Sequence, residues 1–329
     1  MKIALTGDVM LGRLVDEEVI RNRSLPPTAI WGDVLALFLG ADLRLANLEC
    51  VIALAGEPWK PETKAFHFRA HPRAIDVLRA ARIDSVTLAN NHVLDYGVDA
   101  LVDCLALLDR AGIRHAGAGL NLYDAMAPAL LDRSATRLAI IGVTDNEPEW
   151  EARDTRPGVN YIAYNPKGLV EPYRTRIADA IQEAQDHADL VIVSAHVGPN
   201  WGAPSAGMRR LAHELLDMGA DLYWGHSNHT PQGIEIYRDK VVLYSAGDFV
   251  DDYAVDPDER NDLSFLFVLE LDGARVERLV LHPVAIEGCR VRRAKGAEVT
   301  FLQESMRTRC AAFGTSLAFH EGKGIVDIG

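Results

Sequence analysis

Short apolar runs that end in a polar side chain recur along this chain, and they limit the folds that it can adopt. The runs are "KIALTGD", "LRLANLE", "SVTLANNH", "LVIVSAH" and "ADLYWGH". Amphipathic segments such as "GVDALVDCLALLDRAG", with apolar residues spaced near 3.6, separate several of them. Buried strands that alternate with helices predict an α/β protein.

The polar side chains at these strand ends form one candidate site. They are Asp8, Asn47, Glu49, Asn90, Asn91, His92, His196 and His226. Because ligands of open α/β sheets bind at the carboxyl ends of strands, we expect these side chains to converge on one crevice. Carboxylate, amide and imidazole groups together suit Mn, Fe or Zn better than Ca.

The stretch "GHSNH" at 225–229 places two histidines beside a glycine. It nearly matches the G-x-S-x-G nucleophile elbow, but His229 stands where the second glycine is needed for the strained turn. A serine hydrolase is therefore disfavoured. We interpret His226 and His229 as metal ligands carried on a loop.

After residue 230 the sequence pattern changes from strands alternating with helices to strand-like runs joined by short turns. Arg238-Asp239-Lys240 separates two strand-like runs, and Asp272-Gly273, a strong signal for a tight turn, lies in the middle of "LSFLFVLELDGARVERLVLHPVAI". These patterns predict hairpins, so a mixed or antiparallel sheet should join the parallel one. We predict a main domain at 1–290 and a C-terminal helical segment packed on it at 291–329.

Composition excludes several classes of function. A formal net charge of −13 argues against nucleic acid as the main partner, because phosphate binding depends on clustered Lys and Arg. No apolar run reaches the roughly 20 residues that span a bilayer, and no secretory segment precedes "IALTG". The four cysteines are widely spaced and predict free, buried thiols. We expect a cytoplasmic protein without a membrane anchor.

Seven stretches of the chain resemble, in order, the capsule-synthesis (CapA, poly-γ-glutamate biosynthesis) proteins, relatives of the calcineurin-like metallophosphoesterases. They are "GDVMLGR", "NLEC", "LANNHVLDYG", "AGIRHAGAG", "AHVGPNW", "GHSNHTPQGIEIY" and "YSAGDFVDDY". The resemblance implies an α/β fold, a four-layer metallophosphatase-type sandwich of mixed β-sheets flanked by helices. It also implies a divalent-metal centre with one or two ions per chain.

The resemblance assigns roles residue by residue. Asp8 resembles a ligand of the first metal, and His229 would be a further ligand of the same metal. Asn91, His196 and His226 resemble ligands of the second metal, and His92 resembles the acid–base histidine.

Three departures from the superfamily pattern concern the first metal. Met10 occupies the place of the histidine in D-x-H, and Asn47 occupies the place of the bridging aspartate, with Glu49 the only carboxylate nearby. The final G-H-x-H motif is lengthened to G-H-x-x-H. One metal, or two bound unequally, both remain open at this point.

Each candidate also has a purely structural interpretation. Asp8 could cap the segment that follows it, Asn91 could be a turn residue, and His196 could be a satisfied histidine at a strand end. Asp95 could cap the helix that begins near Gly97, or it could fix the tautomer of His92.

A hydrolytic mechanism follows from the implied parts. A divalent ion lowers the pKa of its bound water to about 7, and the resulting hydroxide would attack a phosphorus or carbonyl centre. His92 would then protonate the leaving group, with Asp95 orienting the ring. Candidate substrate-binding residues are Arg13, Arg69, Asn200 and Trp201, which suit a small or oligomeric anionic substrate.

Two functions of different classes are consistent with the sequence. The first is a metal-dependent hydrolase that cleaves a phosphoester or a γ-glutamyl-type amide. The second is a non-catalytic or accessory component of poly-γ-glutamate or capsule polymer synthesis. The predicted His92–Asp95 pair favours the enzyme, because a scaffold has no use for an acid–base residue.

Overall fold

Two β-sheets packed face to face form the centre of the protein in the computed structural model, which describes residues 1–60 and 62–328. The strands are, in chain order, β1 (Lys2–Val9), β2 (Leu43–Leu48), β3 (Val51–Ile52), β4 (Arg69–Ala70), β5 (Ser85–Thr87), β6 (Arg114–Ala116), β7 (Ala118–Gly119), β8 (Ala129–Arg133), β9 (Thr136–Thr144), β10 (Gly158–Val159), β11 (Tyr164–Asn165), β12 (Gly168–Leu169), β13 (Leu190–His196), β14 (Leu222–His226), β15 (Ile234–Tyr237), β16 (Lys240–Leu243), β17 (Asp248–Val250), β18 (Leu263–Asp272), β19 (Arg275–Glu287), β20 (Arg290–Arg293), β21 (Ala318–His320) and β22 (Lys323–Asp327).

The helices begin and end at residues with clear local roles. They are α1 (Leu35–Leu39), α2 (Ala74–Ala80), α3 (Gly97–Ala111), α4 (Leu122–Met126), α5 (Tyr173–His187), α6 (Ala206–Asp217) and α7 (Ala297–Ala311). Ser205 caps α6 by accepting a hydrogen bond from the Met208 N–H. Gly112 ends α3 in the left-handed conformation, with φ of 71°.

The larger sheet is mixed, as the sequence predicts. Its strands lie in the order β21-β22-β19-β18-β1-β2-β5-β6, with β17 paired to β1 and β20 to β19. The strands β1, β2, β5 and β6 are parallel, whereas β18, β19 and β22 form an antiparallel extension. The turn at Asp272-Gly273 joins β18 to β19, which confirms the predicted hairpin.

The smaller sheet has the order β15-β16-β14-β13-β9-β8. Its four central strands are parallel, and an antiparallel strand lies at each edge. The hairpin predicted around Arg238 and Asp239 joins β15 to β16, and both turn residues have positive φ, at 51° and 63°.

Side-chain alternation along the strands explains the layering. In β1, Ile3 and Leu5 point toward the smaller sheet and pack with its Ile140 and Ile192, whereas Ala4 points to the opposite face. Helices α2 and α3 cover the outer face of the larger sheet, and α5 and α6 cover the outer face of the smaller one. This arrangement confirms the predicted four-layer sandwich.

The C-terminal segment differs from its prediction. Helix α7 packs Leu302, Met306 and Cys310 into the core between the sheets, but β20 and β22 extend the larger sheet through pairing with β19. The segment 291–329 is therefore only partly helical, and the predicted boundary falls inside β20. The apolar residues around β22 form too short a run to predict a strand from the sequence. Only the pairing of β22 with β19 identifies it as one.

Two further predictions concern the chain as a whole. All four cysteines are buried free thiols, as predicted. Within residues 1–60 and 62–328, none of the helices combines the length and apolarity that crossing a bilayer requires.

Candidate active site

The carboxyl ends of the central strands of both sheets meet, and their polar side chains converge as predicted. Asp8 pairs in register with Asn47 across β1 and β2, and His196 pairs with His226 across β13 and β14. Ligand atoms of Asp8, Glu49 and His196 all lie within 4.8 Å of one another. These three buried residues could hold a metal ion.

Asn47 organises this cluster through the hydrogen bonds of its side-chain amide. Its amide nitrogen donates to Asp8 Oδ1 at 2.7 Å and lies 3.2 Å from His196 Nδ1. Its amide oxygen accepts hydrogen bonds from Thr87 and Asn90. Asn47 therefore fixes the orientation of the carboxylate of Asp8.

Glu49 supplies the second carboxylate of the cluster. It is 2% exposed, and its Oε1 lies 3.8 Å from His196 Nε2 while its Oε2 accepts from the Tyr253 hydroxyl at 3.0 Å. Burial, and then the charge of Asp8, raise the pKa of Glu49 well above its usual range. A cation beside Glu49 would compensate the cost of this buried charge.

Several buried polar atoms around the cluster lack a hydrogen-bond partner among the described residues. They are Asp8 Oδ2, Asn91 Oδ1, Asp248 Oδ2, and both ring nitrogens of His226. The Nδ1 atom of His226 lies 3.0 Å from Asp8 Oδ1, but the two groups are not aligned as a hydrogen bond. Unpaired buried polar groups are costly, and these oxygen and imidazole donors fit a divalent transition metal.

The protonation states of Asp8 and His196 match those of metal ligands. Burial acts to raise the pKa of Asp8, but the neighbouring His226, His196 and Asn47 outweigh it and lower the pKa to about 2. Burial lowers the pKa of His196 to about 3, against the charge of Asp8. At neutral pH the carboxylate is ionised and the imidazole is neutral, which are the forms that bind metals.

Asp248 is a member of the site to which the sequence prediction gave no role. It begins β17 beside Asp8, and its Oδ1 lies 2.9 Å from His229 Nδ1. Burial acts to lower the pKa of His229, but Asp248 and then Glu49 and Asp8 raise it to about 10. The pair Gly247-Asp248 comes shortly after β16, and the same Gly-Asp pair occurs as Gly7-Asp8 near the end of β1; this repeated signal could have identified Asp248.

His92 and Asp95 form the predicted dyad. His92 Nδ1 lies 2.6 Å from Asp95 Oδ2, which also accepts a hydrogen bond from the Phe68 N–H at 2.7 Å. The Phe68 ring stacks on His92 with 3.8 Å between ring centroids. Burial lowers the pKa of His92, and Asp95 opposes this shift. The alternative role of Asp95 as a helix cap is wrong, because Tyr96 occupies the N-cap of α3 and no side chain caps the helix.

Lys64 contacts the His92–Asp95 dyad, although the sequence analysis did not predict it as a site residue. Its ammonium donates to the Asn91 carbonyl oxygen at 2.5 Å and lies 3.2 Å from Asp95 Oδ1 and 2.9 Å from Glu147 Oε1. Its side chain is 11% exposed. No motif around Lys64 marks it, since its partners come from distant parts of the chain.

A cavity of about 670 Å³ opens above the cluster and the dyad. Glu49, Asn91, His92, His196 and His229 line it. This volume lies within the range of small-molecule sites.

Three of the four predicted substrate-binding residues, Arg13, Asn200 and Trp201, line this cavity. Arg69 does not, because its guanidinium lies over the Tyr96 ring at 4.0 Å and donates to the Ala55 and Gly56 carbonyl oxygens. We therefore remove Arg69 from the substrate-binding residues.

Met10 is fully buried in the apolar core between the larger sheet and the helices on its outer face. Its sulfur accepts the Gly12 N–H at 3.1 Å. Met10 thus serves local packing.

Comparisons with known proteins identify the family of this chain. A family model described as "Bacterial capsule synthesis protein PGA_cap" matches residues 2–253. The chain is 35% identical to the "Probable polyglutamine synthesis accessory protein" of Mycobacterium tuberculosis, over 95% of this chain and 92% of that protein. It is 29% identical to the "PGA biosynthesis protein CapA" of Bacillus subtilis, over 77% of this chain and 63% of that protein.

A solved structure supports the fold. The crystal structure of a hypothetical protein from Thermus thermophilus aligns with a TM-score of 0.52 and 16% identity, over 90% of this chain and 100% of that one. The similarity concerns architecture alone. Together, the matched model and the relatives place the chain in the bacterial capsule synthesis (PGA_cap, CapA) family.

Proposed function

We propose that the protein is a metal-dependent hydrolase that cleaves a phosphoester or a γ-glutamyl-type amide. The observation that carries this proposal is the buried cluster of Asp8, Glu49 and His196 beside the His92–Asp95 dyad, both facing one cavity. A cluster of ligand atoms next to a hydrogen-bonded histidine–carboxylate pair is the arrangement that metal-assisted hydrolysis requires.

The candidate ligands divide into two groups. Asn91, His196 and His226 would hold the tighter ion; the residue types favour Mn, Fe or Zn. Asp8 and His229, with Glu49 shared, would hold a weaker ion, because binding there must displace the proton that the raised pKa of His229 keeps on its ring at neutral pH. When bound, such an ion supplies an activated water nucleophile and polarises the bond to be cleaved.

The side chains of the cavity would transfer the proton and orient the substrate. His92 Nδ1 is engaged by Asp95, so Nε2 is the atom that exchanges a proton with the leaving group. Asp95 and Lys64 hold the ring in place. Arg13, Asn200 and Trp201 line the mouth, where an anionic substrate would be oriented.

A second candidate function is an accessory role in poly-γ-glutamate or capsule polymer synthesis. The relative from Mycobacterium tuberculosis that matches nearly the whole chain carries the name of an accessory protein. In that case the site would bind a polymer or its precursor without turnover.

Metal content tests the first part of the proposal. Purified wild type should contain a transition metal, and His226→Ala should lose it because both ring nitrogens of His226 lack other partners among the described residues. His213→Ala is the matched control, since His213 lies 3.0 Å from Glu235 and stacks on Tyr237 away from the site. Equal metal content in wild type and His226→Ala, or none in wild type, would contradict the proposed ligand set.

Turnover separates the two functions. Metal-loaded wild type should hydrolyse members of a panel of chromogenic phosphoesters and γ-glutamyl anilides. A metal-loaded protein that binds these compounds but cleaves none of them would favour the accessory role.

A further inference from the structure

A chain of aromatic contacts borders the cavity and runs between two exposed rings. The aromatic wall, as we name it, consists of Trp201, Tyr253, Phe68 and Phe66, with His229 between the first two. Ring centroids along it are separated by 5.3 Å (Trp201–His229), 5.1 Å (His229–Tyr253), 5.7 Å (Tyr253–Phe68) and 6.5 Å (Phe68–Phe66). All five side chains line the cavity.

The two ends of the aromatic wall are open to solvent. Phe66 is 59% exposed and Trp201 is 42% exposed. Exposed aromatic rings that flank a cavity lose contact with water when a flat ligand covers them, and aromatic pairs contribute beyond the area that they bury. Between these ends Phe68 is buried and His229 and Tyr253 are partly buried, so the surface of the wall continues inward from the mouth.

The wall reaches the chemical groups of the site. Phe68 stacks on His92, and the Tyr253 hydroxyl donates to Glu49. Because His92 is the residue that would protonate the leaving group, the surface formed by Phe68 and Phe66 lies on the leaving-group side.

The guanidinium of Arg13 lies beside this part of the aromatic wall. The Arg13 guanidinium lies 5.5 Å from the Phe66 ring and 5.6 Å from the Phe68 ring, and its Nε is 3.3 Å from Asp252. One face of Arg13 is thus fixed by protein groups, while 35% of its side chain remains exposed. A substrate that contacts this surface meets both an aromatic ring and a positive charge.

From this geometry we propose that the substrate is an anion that carries a planar aromatic ring on its leaving-group side, and that the aromatic wall binds this ring. This inference rests on the proposed hydrolase, but it concerns recognition, which can be measured without turnover. An aliphatic leaving group would leave the exposed ring of Phe66 poorly covered.

Two non-hydrolysable ligands test the proposal, phenylphosphonate and methylphosphonate, which share the anionic group and differ in the ring. Isothermal titration calorimetry with Mn²⁺-loaded protein should show phenylphosphonate binding at least about tenfold more tightly. Phe66→Leu and Trp201→Leu should each weaken the binding of phenylphosphonate and so reduce this preference severalfold. Tyr123→Leu is the matched control, because Tyr123 is 72% exposed and does not line the cavity.

The possible results distinguish this inference from the proposed function. Equal affinity for both phosphonates, or a preference that survives both substitutions, would overturn the role of the aromatic wall while leaving hydrolysis intact. Suppose that the preference for the ring disappears in the variants but the protein cleaves no ester or amide. This result would support binding of the ring by the aromatic wall and would reject the proposed hydrolase. Binding of neither phosphonate would overturn the inferred recognition of an aromatic anion, whereas turnover of the chromogenic panel decides the proposed hydrolase separately.

Discussion

Replacing Asp95 with Asn should break the dyad while keeping the size of the side chain. The Oδ2 atom of Asp95 faces two donors, the Phe68 N–H at 2.7 Å and His92 Nδ1 at 2.6 Å, and Oδ1 lies 3.2 Å from the Lys64 ammonium. The NH₂ group of asparagine must occupy one of these positions, so a donor will face a donor in either orientation. No rotation of the amide avoids the conflict.

The expected losses of stability and of kcat in Asp95→Asn follow from this conflict. Loss of a buried charge-assisted hydrogen bond costs about 1.5–3 kcal/mol and an unsatisfied buried donor about 1–3 kcal/mol, so the free energy of unfolding should fall by roughly 2.5–6 kcal/mol. Because His92 loses its orientation, kcat should fall by about 10²–10⁴, the contribution of a positioned acid–base group. Metal content should not change, since Asp95 is not among the candidate ligands.

Urea denaturation, metal analysis and kcat on the best substrate of the panel measure these effects. Asp109→Asn is the control, because Asp109 lies 3.2 Å from His115 in a similar pair but its side chain is 70% exposed. That change should cost less than about 0.5 kcal/mol. A folded Asp95→Asn protein with unchanged kcat would refute the role of the dyad in catalysis.

Three further predictions concern other parts of the molecule. Metal titration of apo protein should show two unequal steps, and Glu49→Gln should abolish the weaker one; a single step that the substitution leaves unchanged would show a mononuclear centre. Gly7→Ala should lower the free energy of unfolding by about 1–3 kcal/mol or more in urea, because the added Cβ would lie 1.9 Å from the Gly247 carbonyl oxygen; an unchanged midpoint would contradict this close approach. Glu298→Gln should lower stability at pH 7 by roughly 0.5–1 kcal/mol, a value reduced for solvent screening. The hydrogen bond with Arg292 lowers the pKa of Glu298 from 4.5 to about 2, so its contribution is complete above pH 4.5 and is lost as the pH falls toward 2. Denaturation curves at pH 7 and pH 2 should therefore differ less for the variant than for wild type.

The sequence predicts the strands and hairpins of this fold well because each is encoded locally. Alternating buried runs identify the strands, and turns such as Asp272-Gly273 identify the hairpins. The strand-end residues Asp8, His196 and His226 converge for the same reason, since parallel strands direct their carboxyl ends to one edge. The four layers themselves came from the family resemblance, and the structure confirms them.

Residues whose roles depend on distant partners were harder to predict. Lys64 reaches Asp95 and Glu147, and Arg69 turns away from the cavity to lie on Tyr96. Asp248 acquires its role from its register with Asp8, and the repeated Gly-Asp pair marks the residue without showing this long-range pairing. The sequence indicates which residue types are available, whereas packing decides which of them face the cavity.

The candidate ligands are divided between the two sheets, and this division has a consequence for cooperative opening. Asp8 and Glu49 follow strands of the larger sheet, whereas His196 and His226 end strands of the smaller one, so an ion that they share would cross-link the layers at one edge. Mainly apolar contacts hold the rest of that interface, and a ligand present at about a hundred times its Kd adds about 2.7 kcal/mol to stability. Amide protons in β1 and β13 should then exchange together and slowly in the loaded protein, as one unit. Removal of the ion should turn the same edge into the place where the two sheets first separate.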